Sequence, residues 1–174
     1  MRATIAAVMM LALAGCAQHR TPDMASEAFK DICVDTHAAP DAVAKAAEAA
    51  GGIKTNAVGK ADPSTPARFW NLKLTNGTPL MISQVVTKPA AGERDEACGV
   101  IVTGPDAASV KEVRTWIGDK ADPPYEFRDL DARLAVTTSA EREAAMREDK
   151  LWMLTVIDEG SAADFNISHK RQDR

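Results

Sequence analysis

The chain has 174 residues, 45% of them hydrophobic, and a formal net charge of −4. That length suits one domain with a sizeable core. The acidic balance, with no basic stripe interleaved with aromatics, argues against a nucleic-acid partner.

Met1-Arg2 is a short positive start, and Thr4 to Ala14 is an unbroken run of apolar and small residues. The run has the length of a signal-peptide core and is too short to span a bilayer as a helix. Ala12-Leu13-Ala14 fits the small-x-small rule for secretory cleavage after Ala14. Leu13-Ala14-Gly15-Cys16 also resembles the lipobox of bacterial lipoproteins, in which an aliphatic residue and two small ones precede a cysteine. The resemblance implies a diacylglycerol on the Cys16 thiol, cleavage before Cys16 and acylation of the new amine, with palmitate-class chains. A thiolate is suited to alkylation. Each buried methylene contributes about 0.8 kcal/mol, so two or three chains anchor stably. Ala17 stands where the inner-membrane retention signal of lipoproteins has Asp, so the resemblance points to a periplasm-facing anchor in the outer membrane. The expected organisation is a signal peptide over 1–15, a lipidated tether over 16–21, one periplasmic domain over 22–168 and a solvated basic tail over 169–174.

With Cys16 acylated, Cys33 and Cys98 remain. An even pair in an oxidising compartment predicts a disulfide. It would close a loop of roughly 66 residues, worth about 4 kcal/mol in the chain-entropy model.

Thr21-Pro22-Asp23 reads as a helix start, with Thr21 as N-cap and Pro22 at the first helical position. Met24, Ala28, Phe29, Ile32 and Cys33 then share a helical face. Residues 36–40 break that helix. A second runs from about Pro40 to Ala50, with Val43, Ala46, Ala47 and Ala50 on one side, and Gly51-Gly52 stops it. Residues 54–66 read as a loop.

Beyond that loop the period changes to two. Trp70, Leu72 and Leu74 alternate, as do Leu80, Ile82 and Val86, and Asn76-Gly77 between them signals a hairpin. A strict two-residue connection would pair Leu72 with Met81 and split the apolar residues between faces. A three- or five-residue connection gathers them on one face and is expected, because register follows the buried face. Residues 97–103 read as a buried strand, followed by a helix capped by Asp106 with Val110, Val113 and Ile117 inward. Strand patterns recur at about 126–137 and 150–158, with a short helix over 139–148, where Glu143 and Arg147 are spaced for an i,i+4 pair. Residues 164–168 suggest an edge strand. The sum is an α+β fold: an antiparallel sheet of about five strands, two N-terminal helices, and helices packed on one face.

No GxSxG, HExxH, P-loop, GxGxxG or CxxC motif occurs. Cys33 and His37 are four apart and could share a metal or form a thiolate–imidazole pair. A bridged Cys33 would forbid both, and Asp35-Thr36-His37 more simply ends a helix. Trp70, Trp116 and Trp152 lie on amphipathic patterns, which favours core packing over a sugar or peptide platform. Asp119, Asp122, Glu126, Asp129 and Asp131 make an acid-rich stretch without the EF-hand spacing, read as a solvated loop. No catalytic residue, metal or cofactor is therefore expected.

The stretch from Phe29 through Gly52, followed by a hairpin and a lone-cysteine strand, resembles small envelope proteins of proteobacteria; the likeness brings no activity with it. The expected function is a non-catalytic binding, assembly or inhibitor module whose partners are the membrane, through its lipid, and an envelope protein or peptidoglycan. Its binding residues are sought in the 54–66 and 119–131 loops. The alternative is a cell-wall or lipid hydrolase using carboxylates. A deep pocket lined by carboxylates or by His37 would favour that alternative.

Overall fold

The computed structural model describes residues 20–55, 65–88, 92–119, 125–129 and 151–172. The lipobox with Cys16, the 139–148 helix with its Glu143–Arg147 pair, and most of both candidate loops lie outside them. The chain opens with α1 (Ala25–Phe29), continued by one π turn over Lys30–Val34, then α2 (Pro40–Ala49). Strands β1 (Ile53–Thr55), β2 (Ala67–Lys73), β3 (Pro79–Thr87) and β4 (Glu93–Thr103) follow. Helix α3 (Ala107–Asp119) leads to β5 (Tyr125–Asp129), β6 (Leu151–Asp158) and β7 (Ala162–Gln172). The fold is α+β, with one sheet in the order β1-β2-β3-β4-β7-β6-β5.

Among the described residues the sheet has seven strands, where about five were expected. Six are joined antiparallel, and β5 adds in parallel to β6. A parallel partner needs a crossover of about a dozen residues or more, and 130–150 supply that length. Strand β1 lies partly in the expected 54–66 loop. It is short, and Ile53 on this edge is 73% exposed. Glu126 and Asp129 belong to β5 rather than to a loop. The largest correction concerns β7. Its residues form an interior strand between β4 and β6, and they run to Gln172, through the segment expected to be a solvated tail. The reason is length: β4 extends back to Glu93, and its added residues need a partner, which His169 to Gln172 provide.

The β2–β3 hairpin takes the longer connection. Leu72 pairs with Leu80 and Trp70 with Ile82, while Leu74 N–H donates to Thr78 O at 2.9 Å. Gly77 at the tip adopts φ +86°, which the three-residue connection requires. This register puts one apolar row straight across five strands: Trp70, Ile82, Val100, Phe165 and Val156, all fully buried.

The helices cover that face. Helix α1 begins later than expected: its N-cap is Met24, with no side-chain cap. Pro22 and Asp23 instead brace the hairpin, accepting hydrogen bonds from Thr75 N–H (3.1 Å) and Thr75 Oγ1 (2.7 Å). Phe29 then packs on Phe165, ring centroids 5.9 Å apart. Truncating either buried ring would cost about 3–5 kcal/mol. Helix α2 buries Val43 and Ala47. Helix α3 is capped as expected, Ser109 N–H donating to Asp106 Oδ1 at 3.1 Å, and it buries Val110 and Val113. Ser26 N–H donates to Ser109 Oγ, and Ser26 Oγ to Glu112, joining α1 to α3.

Candidate functional site

Row by row, the covered face of the sheet turns polar toward one end. Beside the Trp70 row lie Arg68, Gln84, Cys98, Ile167 and Leu154. The next row is Val86, Glu96 and His169, with Trp152 in register. Beyond it Arg94 faces Arg171 across the β4–β7 pair. Each strand keeps its two-residue alternation, so these polar side chains on β2, β3, β4 and β7 follow directly from the inward apolar ones.

Helix α2 starts just above these rows, and between them opens a groove of about 730 Å³. Its floor holds Gln84 and Glu96, 1% and 3% exposed. Arg68 on β2 and Lys88, just past the end of β3, line it, with Ala39 to Ala42 from the first turn of α2. Pro66, the last residue of the candidate 54–66 loop, is on its wall.

The carboxylates of the groove are both engaged. Arg94 reaches Glu96 Oε1 from Nε and Nη2, each at 2.7 Å. With Glu96 buried, breaking this pair would strand a charge, a cost of about 3–5 kcal/mol. Arg68 Nη1 lies 3.1 Å from Asp41 Oδ1 and also donates to Pro40 O. Asp41 is almost fully exposed, so that pair is solvent-screened. Gln84 differs: its amide nitrogen is buried without a hydrogen-bond partner. An unsatisfied buried donor costs about 1–3 kcal/mol. The N-cap residue of α2, Ala39, makes no side-chain cap, and the first turn carries backbone N–H groups with no intrahelical acceptor.

The sequence-predicted residues sort as follows. Cys33 and Cys98, both fully buried, stand at disulfide distance with Cα atoms 5.3 Å apart, within the range a bridge requires. His37 does not join Cys33 in a site; it lines the groove together with His169 and Glu96. Trp70 is core, fully buried, with its indole N–H unpartnered. The side chains of Trp116 and Trp152 are outside the described residues. Among the described residues no group of three or more His, Cys, Asp or Glu could hold a metal ion. Sequence reading missed Arg68, Gln84, Lys88, Arg94, Glu96 and His169. The signal was present: on β2, β3, β4 and β7 the inward apolar stripe is interrupted by a polar residue near one end.

His37 reaches the groove through an uncommon corner. It and Ala38 both adopt left-handed backbone, with φ of 55° and 52°. Two such residues turn the chain from the π turn into α2, and Ala39 returns to extended geometry, as the position before Pro40 requires. No protein-family model matches this chain, and comparison with curated proteins and with solved structures finds no match.

Proposed function

We propose that this chain is a lipid-anchored envelope protein, held at the outer membrane through Cys16, whose domain binds an envelope partner in the periplasm without transforming it. Its Cys33–Cys98 pair is oxidised there, and its partner is an envelope protein or peptidoglycan. The observation that carries the binding reading is the groove. Its described lining contains no serine, threonine or cysteine nucleophile, and both of its carboxylates are engaged by guanidinium groups. What remains is a set of positioned donors and charges, which suits recognition. Among the described residues no helix is long and apolar enough to cross a membrane.

The test has two parts. Cys16→Ser should release the protein to the soluble periplasmic fraction; unchanged retention and mass would defeat the anchor. Cross-linking in intact envelopes, followed by capture, should recover a partner that Arg68→Met with Lys88→Met abolishes while the melting temperature holds. Partner capture unaffected by those variants would remove the groove as the binding surface.

A second reading, hydrolysis, is favoured by one observation: His37, His169 and Glu96 share the groove. Two imidazoles and a carboxylate can move protons in a hydrolytic step. Turnover of peptidoglycan or lipid by the purified protein, lost in both His37→Gln and Glu96→Gln, would establish it over the binding reading.

A further inference from the structure

The groove collects hydrogen-bond donors and positive charge from several directions. The first turn of α2 brings Ala39, Pro40, Asp41 and Ala42 to its wall, and its N-cap residue, Ala39, makes no side-chain cap. At ten residues, α2 is long enough for its N-terminus to carry a partial positive charge. From the floor comes Gln84, 1% exposed, lining the groove with an amide nitrogen that has no partner. From the sheet come Arg68, and beyond it Lys88 and Arg94. Three basic side chains face two acidic ones, and the two imidazoles of His37 and His169 also line the groove. A buried donor without an acceptor, beside a helix start whose N-cap residue supplies no cap, is completed by a negatively charged oxygen.

We propose that this groove binds an oxyanion, the carboxylate or phosphate group of its ligand, against the first turn of α2, with the Gln84 amide and Arg68 as donors and Lys88 as a neighbouring charge. The assignment rests on the reading that the groove is the binding surface, and it adds the ligand's chemical class. Carboxylate and phosphate share the chemistry that matters here, a charged oxygen that accepts several hydrogen bonds. Arg68 already spans Pro40 O and Asp41 Oδ1, so its guanidinium is held over the helix start. A bound oxyanion therefore meets a donor set whose backbone part is fixed by the fold and whose floor is fixed by β3.

The experiment is an NMR titration of the full mature chain, labelled with nitrogen-15, with three probes: inorganic phosphate, N-acetyl-alanine and the neutral N-acetyl-alaninamide. The expected result is saturable shifts of the Asp41 and Ala42 amides and of the Gln84 side-chain amide with one or both anions. The neutral probe should bind at least ten-fold more weakly. Tighter phosphate binding would identify a phosphate ligand, and tighter N-acetyl-alanine binding a carboxylate; either supports the site. Gln84→Leu should weaken the anion at least five-fold, and Lys88→Met, at an exposed position, should do so without altering the fold. Equal affinity for the neutral probe, no saturable shift at the α2 start, or unchanged affinity in both variants would overturn the oxyanion. Partner capture that still depends on Arg68 and Lys88 would, in that event, leave the groove a binding surface for a different chemistry.

Discussion

Two helices of this domain end in the same hydrogen-bond pattern and use different residues for it. At the end of α2, Gly51 N–H donates to Glu48 O and Gly52 N–H to Ala47 O, with Gly51 at φ +89°. At the end of the π turn, His37 N–H donates to Val34 O and Ala38 N–H to Cys33 O, with both His37 and Ala38 left-handed. Glycine takes that conformation freely, whereas a side chain there costs about 1–2 kcal/mol per residue. The first corner is a stop. The second is a strained stop held from outside: Cys33 is tied toward Cys98 on β4, and Thr36 Oγ1 donates to Ile32 O at 2.7 Å. What differs is the cargo, because only the second corner delivers a side chain to the groove. Strain kept in place by its surroundings is a pointer to function.

The two corners should part most at the cysteine pair. Removing it, as Cys33→Ala with Cys98→Ala, should lower stability by about 4 kcal/mol in urea unfolding, by releasing a long loop in the unfolded chain. Amide signals of His37 and Ala38 should lose their hydrogen-exchange protection before those of Gly51 and Gly52. Equal loss at both corners would mean the bridge does not support the strained one.

Next come the glycines. A Cβ on Gly52 would lie 2.7 Å from Ala47 O and 3.3 Å from Trp70 Cβ, so Gly52→Ala should cost about 2 kcal/mol or more. At Gly51 a Cβ meets nothing within 4 Å, so Gly51→Ala should cost only the φ penalty, about 1 kcal/mol. Thermal melts of the two variants separate steric from conformational cost at adjacent positions.

The strained corner should respond in the opposite sense. Ala38→Gly should raise stability by about 0.5–1 kcal/mol, since the native φ suits glycine. His37→Gly should also stabilise, and it should weaken ligand binding in the groove, which Ala38→Gly should not. Destabilisation by both would show that neither residue is strained.

The smallest effect lies away from both corners and calibrates them. Asp164, half-buried on β7, stands in register between Ile101 and Ile157. Burial raises its pKa above 3.8, and the nearby Glu159 charge adds to the rise. The folded state therefore holds this proton more tightly than the unfolded chain, and stability falls as pH climbs from 3.8 through the folded value. Asp164→Asn should match the wild type below pH 3.8 and melt slightly higher at neutral pH. A gap that is constant with pH would assign the effect to something other than this titration.

Short-range signals in the sequence were enough to mark the local elements. Periodicity marked α2 and the inward faces of β2 and β3, and an apolar run marked the buried part of β4. Asn76-Gly77 marked the hairpin, Asp106 the start of α3, and Gly51-Gly52 the end of α2. The longer hairpin register was legible too, because only one register gathers Trp70, Leu72, Leu80 and Ile82 on one face. The α1 start misled because Thr21-Pro22-Asp23 has the residues of a cap, yet Pro22 and Asp23 are taken by Thr75 of the hairpin, a long-range contact. Likewise His169 looked like tail, since a charged C-terminal run has no local reason to pair, and only the length of β4 supplies one. The groove is the extreme case. Arg68, Gln84, Glu96 and His169 are separate polar breaks in four separate stripes, each ordinary alone. Strand pairing brings the four breaks to the same end of the sheet, and helix packing lays the α2 start over them. Side-chain alternation is set by the backbone of one strand, but alignment between strands is set by hydrogen-bond register with its neighbours, and no single strand carries that information.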